Sequence, residues 1–314
     1  MIVVSLRKLG AALITMMISS FVIFGAIRLV PGDPVLALTS GRRLTPDQIE
    51  ALRRQYGFDR PFLSSYFDWL GGILHGDFSI SLAYQSDIGH LILDRLPVTI
   101  TLMLYSAVLA IVFGFGLGLL AAARGGVADH LSVYVSSAAT ATPPFLSAVV
   151  LLSVLSVRLG WFPALGAGDG FWDRLYHLTL PALALAFAAF GVLARLSRTT
   201  FLEQLRREHV EVARSRGVSS MAVLLRHVVR PSLSPVLTAT TMLLASLYVG
   251  TTVVERAFGI NGVGSLLVQS VGSRDMPVVQ AIALLGVALF VVTSTAVELV
   301  LPLLDPRLRV EAAT

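Results

Sequence analysis

The chain has 314 residues, 55% of them hydrophobic and 14% charged, with a mean hydropathy of +0.79. Average soluble domains carry roughly 25% charged residues, so the composition excludes an ordinary soluble protein and predicts a polytopic membrane protein. The net charge of +5 is read as a marker of topology rather than a nucleic-acid footprint, and the absence of cysteine excludes disulfides and thiolate metal sites.

A helix of about 20 apolar residues crosses a bilayer, where no water satisfies open backbone groups. Six stretches qualify: Leu9–Ile27, Pro97–Ala123, Leu131–Val157, Leu175–Ala194, Pro231–Val254 and Met276–Val297. The expected fold is therefore all-α, with six transmembrane helices. The first run follows Arg7 and Lys8, as a signal peptide would. It is long for such a segment and lacks a small-x-small cleavage site, so a retained span is expected. With six spans, Arg7 and Lys8, Arg124, the arginines between Arg195 and Arg230, and Arg307 with Arg309 all fall on one side. By the positive-inside rule both termini are then cytoplasmic.

The expected divisions are residues 1–30 (N-terminus and first span), 31–96 (an extracytoplasmic insertion), 97–304 (the remaining spans) and 305–314 (a cytoplasmic tail). Between Val30 and Leu96 eight acidic residues face six basic ones, which fits translocation. Thr45 is positioned to cap a short helix opening with Pro46 and ending at Tyr56–Gly57. Pro61–Leu74 reads as an amphipathic helix presenting Phe62, Tyr66, Phe67, Trp69 and Leu70. A packed cap or interfacial helix is expected there in preference to a substrate contact.

Span 2 carries Gly114, Gly116 and Gly118, which permit close helix approach. Thr142-Pro143-Pro144-Phe145 interrupts span 3, because proline removes a backbone donor and crowds the preceding turn. Both features suit a core that moves, and both suit static packing. Trp161, Phe162 and Trp172 in the next outer loop are expected interface anchors. The glycines of Phe258–Gly264 have no preceding strand and no following Lys-Ser/Thr, so they are not read as a nucleotide loop. Arg28 and His177 lie near span ends and can snorkel. Glu298, with Pro143 and Phe145, is a candidate for the translocation path.

The segment Glu208–Pro235 is the most structured connector. Glu208–Arg216 has an acidic start and a basic end that suit a helix dipole. Gly217 fits a left-handed helix stop, and Ser219 a cap for a second helix. There Met221, Leu224, Leu225 and Val228 are spaced as one apolar face, with Arg226 and Arg230 opposite. The expectation is a short helix, a tight turn and an amphipathic helix on the membrane, with small Ala213 and Gly217 leaving room for a partner. No H-E-x-x-H, Walker A sequence or paired intramembrane acids occur, so any energy coupling must be borrowed from another chain.

These residues carry a resemblance. Glu211-Val212-Ala213-Arg214-Ser215-Arg216-Gly217, then Leu225-Arg226-His227 and Pro231-Ser232-Leu233-Ser234-Pro235, resemble the "EAA" loop of ABC-importer permeases. More narrowly, the chain is similar to B-type permease subunits of the dipeptide/oligopeptide/nickel family. The likeness extends to Pro31-Gly32-Asp33-Pro34, Leu96-Pro97-Val98-Thr99, Leu159-Gly160-Trp161-Phe162-Pro163, Phe258-Gly259-Ile260, Arg274-Asp275-Met276-Pro277 and Leu304-Asp305-Pro306-Arg307. It departs at Ser215, Arg216 and Pro231, and the last could shift where span 5 begins.

The resemblance implies the type I importer fold and a second homologous permease subunit. It also implies two ATP-binding subunits or one fused ATPase, an extracytoplasmic solute-binding protein and a peptide substrate. ATP and Mg would sit on the partners, leaving no cofactor, metal or catalytic residue on this chain. Glu211, Ala213, Arg214, Arg216, Gly217, Val218 and Ser219, within the cytoplasmic loop 196–230, would form the ATPase contact. Nickel, haem and glutathione are alternative cargoes. An ion-coupled secondary carrier would need its own coupling-ion site, and an intramembrane enzyme a facing nucleophile and base.

Overall fold

A computed structural model of the protein describes residues 2–26, 45–55, 59–81 and 83–304. Arg28, Pro31–Pro34, Tyr56, Gly57 and the tail from Asp305 lie outside the described residues, as does the side chain of Glu298. In chain order the helices are α1 (Ile2–Ala26), α2 (Pro46–Gln55), α3 (Phe62–Leu74), α4 (Ile88–Leu93), α5 (Leu96–Arg124), α6 (Gly126–Ala141) and α7 (Pro144–Leu151). They continue as α8 (Phe171–Leu205), α9 (Glu208–Ser215), α10 (Ser220–Val223), α11 (Arg230–Ala257), α12 (Val263–Gly272) and α13 (Met276–Leu304). Wider π-helical turns prolong α7 over Leu152–Arg158 and join α10 to α11 over Leu224–Val229.

Among the described residues, five helical segments are long and apolar enough to cross a membrane, namely Arg7–Ala26, Ile88–Arg124, Phe171–Leu205, Ser220–Ala257 and Met276–Ala296. A sixth crossing needs α6 and α7 together, and these bend by 101° at their junction. The third expected span is therefore not one straight helix. Proline disfavours the α region in the residue before it, and Thr142 takes φ −89°, ψ 117°. Pro143 is extended too, and α7 restarts on Pro144, where no N–H is required.

Two other expected span ends also shift. The fourth span lies within a 35-residue helix that continues to Leu205, so Arg195 and Arg198 are helical rather than in a loop. Residues 195–205 contain no glycine or proline to stop it. The fifth is the end of a helix that begins at Ser220, so no separate amphipathic helix precedes it. The π-helical turn before Pro231 loosens the backbone where a proline ring would otherwise clash with an α-helical turn.

The chain forms two compact units. The first comprises residues 1–7, 100–260 and 293–314, and α8 is its hub, packed by α6, α7 and α11. A Cβ on Gly114 of α5 would lie 2.7 Å from Leu193 Cβ, and one on Gly118 would lie 2.7 Å from Ser197 Cβ and 2.8 Å from the Arg198 nitrogen. These two glycines let α5 rest on the backbone of α8. Gly116 does not share the role, since a Cβ there meets nothing within 4 Å. Arg198 makes a two-toothed ion pair with Asp129 of α6, NH2 lying 2.6 Å from Oδ2. Trp161 and Trp172 are exposed, whereas Phe162 stacks on Tyr176 at 5.6 Å. In the 258–264 run, Gly259 (φ 60°) ends α11, the Ile260 N–H bonding the Glu255 carbonyl at 2.8 Å.

The second unit comprises residues 8–99 and 261–292. Its core joins Ile88 and Ile92 of α4, Val263 and Leu266 of α12, and Val278, Ala281 and Ile282 of α13. The Thr99 hydroxyl accepts the first N–H of α12, from Val263, at 2.8 Å. Thr45 caps α2, as the sequence predicts, and Gln48 reciprocates by accepting the Thr45 N–H at 3.0 Å. The helix that follows, α3, packs its aromatic face on α1.

Candidate coupling site

The end of α8 leads through Arg206 and Arg207 directly into α9. Glu208 and Glu211 occupy the first turn of α9 and Arg214 the last, each charge complementing the helix dipole. One helical turn apart, Val210 and Ala213 point inward. The helix ends as the sequence predicts. Gly217 adopts φ 77°, its N–H donates to the Arg214 carbonyl at 3.0 Å, and the Val218 N–H reaches back to the Ala213 carbonyl at 3.1 Å. This paired-bond stop needs a left-handed residue at Gly217. Ser219 then caps α10, its hydroxyl accepting from the Ala222 N–H at 3.4 Å.

One apolar cluster fastens this elbow to the spans. Ala122 of α5, Phe201 of α8, Val210 and Ala213 of α9, Val223 of α10 and Val228 of the π turn are all buried in it. Phe201 meets Phe115 edge-on at 5.0 Å, and Val218 packs over the cluster. Val210, Val223 and Val228 are at most 1% exposed. Burying a side chain of this size contributes about 1.5–3 kcal/mol, so bending within the elbow is costlier than shifting it as one body. A push on α9 therefore reaches α5, α8 and the π turn before α11 together.

The surface left open is polar and basic at its tip. Glu211, Arg214, Arg216, Gly217 and Ser219 are exposed, with Val218 partly buried. Ala213 is not at the surface. At 6% exposure its small side chain serves packing inside this chain, not the close approach of a partner. The expected apolar face of the second helix is also redrawn, since Met221 and Leu225 are exposed at 65% and 52% while Val223 and Val228 are buried. The π turn, bonding i to i+5, rotates the helix face away from α-helical spacing. Val212, Met221, Leu225 and Arg226 are exposed as well.

His209 was not evident as a functional residue in the sequence. Its Nε2 bonds the His227 carbonyl at 3.1 Å, and their rings lie 6.1 Å apart. Pro231, four residues on, has no N–H to offer that carbonyl, so His209 ties α9 to the helix that becomes α11. A histidine one residue into α9 and a proline four beyond a second histidine were the available signals. Of the path candidates, Pro143 and Phe145 are both exposed at the α6–α7 bend, Phe145 at 56%.

Residues 114–310 match the family described as the binding-protein-dependent transport system inner membrane component, and residues 1–103 match its N-terminal companion model. The chain belongs to this family. The glutathione transport system permease protein GsiC of Escherichia coli K12 is 33% identical over 305 residues, covering 97% of this chain and 98% of its own. The di/tripeptide transport system permease protein DppB of Pseudomonas aeruginosa is 33% identical over 328 residues, covering 96% and 97%. Among solved structures, a chain of the MetNI methionine ABC transporter in an inward-facing conformation superposes with a TM-score of 0.54. It is 16% identical and covers 68% of this chain and 96% of its own, which shows a shared fold. As an inner membrane component of such a system, the chain is a multi-pass permease of an ABC importer that works with ATPase and binding-protein partners.

Proposed function

We propose that this permease moves di- or oligopeptides, delivered by an extracytoplasmic solute-binding protein, into a prokaryotic cell by alternating access. The observation that carries the reading is the α9–α10 elbow, whose exposed tip is fastened by one buried cluster to α5, α8 and the π turn that leads into α11. Glu211, Arg214, Arg216, Gly217 and Ser219 form the docking surface for the ATPases, and Ala213 and Val218 hold it from beneath. ATP binding closes the ATPases, draws the docked elbow with them and biases the spans toward the outward-facing state; hydrolysis reverses the bias. The driving free energy enters as a difference in binding between two states.

In this reading both termini and the elbow are cytoplasmic, and residues 31–96 lie outside. The arginine distribution supports it. A second homologous permease completes the pore, and two ATP-binding subunits or one fused ATPase carry the ATP and Mg. This chain contributes no catalytic step. The DppB likeness supports peptide cargo, and the GsiC likeness supports glutathione as the second reading.

The test is uptake and ATPase activity of the whole complex in proteoliposomes, with its binding protein offered peptides, glutathione, nickel or haem. Peptides are expected to stimulate both activities. Uptake driven by an ion gradient without the ATPases would overturn the assignment.

A further inference from the structure

We infer that α3 is an interfacial helix embedded in the outer leaflet, held across α1 by an aromatic clasp, with lipid acyl chains as the occupant of its exposed apolar stripe. The clasp fixes its direction. Phe62, Tyr66 and Trp69 all converge on Phe24 of α1, with ring centroids 5.4, 5.7 and 5.2 Å away. The seven steps from Phe62 to Trp69 rise about 10 Å along a helix. Phe62 and Tyr66 also meet Phe21, at 5.2 and 5.3 Å, so over that length the ring contacts of α3 stay within about one turn of α1, and the helix runs across α1 rather than along it.

Its depth follows from α1. Tyr66 OH lies 2.9 Å from Ser20 Oγ and 3.5 Å from the Met17 carbonyl, both groups being within the Arg7–Ala26 span. Ser20 precedes Ala26 by six residues, about 9 Å of helix. Interfacial helices bury their apolar face about 5–10 Å into the headgroup–acyl boundary. A cap resting on the outside of the membrane would not reach Ser20.

The face of α3 turned away from the clasp is divided in two. Leu63, Phe67, Leu70 and Leu74 recur at helical spacing, and Leu63, Phe67 and Leu74 are 58%, 60% and 77% exposed. Beside this stripe lie the exposed polar residues Ser64 and Asp68, where Asp68 pairs with Arg60 at 3.0 Å in the open. An apolar stripe with these polar residues beside it on one short helix, at this depth, matches acyl chains below and headgroups above. The exposed apolar side of α1 (Ile14, Ile18, Val22) is open in the same way. The leaflet, though not the embedding, rests on the proposed cytoplasmic N-terminus.

The chain has no native cysteine, so single sites can be probed in the assembled complex with cysteine-free partners in lipid nanodiscs. Nitroxide labels on Phe67→Cys and Leu74→Cys are expected to collide severalfold more with oxygen than with a water-soluble nickel chelate, as at Ile14→Cys. A label on Ser64→Cys should show the reverse. Labels at Phe67 and Leu74 shielded from both reagents would replace lipid by a protein partner, and nickel access like that of Ser64 would place α3 in water; either overturns the inference. In sealed proteoliposomes an impermeant maleimide should reach Ser64→Cys from outside. Labelling from the lumen alone would overturn the leaflet and the proposed orientation while leaving the embedding intact.

Discussion

His209 Nε2 lies 3.1 Å from the carbonyl oxygen of His227. That carbonyl sits four residues before Pro231, which has no N–H to give it. The bond thus ties α9 to the start of the α11 helix, beside the packing of the buried valines. A net hydrogen bond of this kind contributes about 0.5–1.5 kcal/mol. His209→Gln, which keeps a donor, is expected to retain most ATP-driven uptake. His209→Phe should reduce uptake while ATP hydrolysis continues, because the docked helix slips relative to the span. Equal uptake by both variants, measured in the reconstituted complex, would remove the tie from the mechanism.

Gly217 is open on the side where a Cβ would project, meeting nothing within 4 Å. Its requirement is therefore conformational and not a matter of contact within this chain. A β-branched residue held at φ 77° costs about 1–3 kcal/mol, whereas asparagine visits that region readily. Gly217→Val should uncouple hydrolysis from transport and leave membrane insertion intact, and Gly217→Asn should recover much of the loss. Peptide uptake by Gly217→Val at the native rate would show that the turn is not needed for coupling.

Gly116 and Gly118 sit two residues apart on α5 with opposite demands. A Cβ on Gly118 meets the Arg198 backbone nitrogen at 2.8 Å, an atom that cannot move without α8. Overpacking of this kind typically costs about 1–3 kcal/mol. Gly116→Ala meets open space and should gain roughly 0.5–1 kcal/mol from helix propensity. Thermal unfolding of the purified complex is expected to separate the two variants in opposite directions.

The features legible in the sequence are those fixed locally. Apolar runs specify helices, Gly217 and Ser219 specify a stop and a start, and Thr45 specifies a cap, each within a few residues. The proline break at Thr142–Pro143 was readable as a break, but its 101° angle depends on what α6 and α7 pack against. Ala213 read as a small surface residue because composition does not reveal which side of a helix is covered. The π turn also hid the buried face, since it sets Val223 and Val228 five residues apart on one side and leaves Met221 and Leu225 exposed. The pairing of Arg198 with Asp129, 69 positions apart, had no local signal.

Asp275 shows the same limit at greater range, and it yields the sharpest test of the second unit. The residue is 1% exposed, and its Oδ2 accepts from Ser81 Oγ at 2.5 Å and from the Ala83 N–H at 3.0 Å. Arg274, in the left-handed region at φ 57°, ends α12 and turns the chain so that this carboxylate faces the Ser81–Tyr84 turn. The Tyr84 N–H in turn bonds Ser81 Oγ at 2.9 Å, so one carboxylate oxygen holds both the Ser81 hydroxyl and the Ala83 N–H. Among the described residues the other oxygen, Oδ1, is buried without a hydrogen-bond partner. Asp275→Ala strands the buried Ser81 hydroxyl, a loss of about 1–3 kcal/mol, and releases the N–H of Ala83, an exposed residue. Asp275→Asn keeps an acceptor for both donors and replaces only the unpartnered oxygen, so it is expected to be far milder. Hydrogen exchange at the Ala83 amide should therefore accelerate strongly in the alanine variant and little in the asparagine variant. Equal acceleration in both would mean that the turn depends on the carboxylate's charge and not on its geometry.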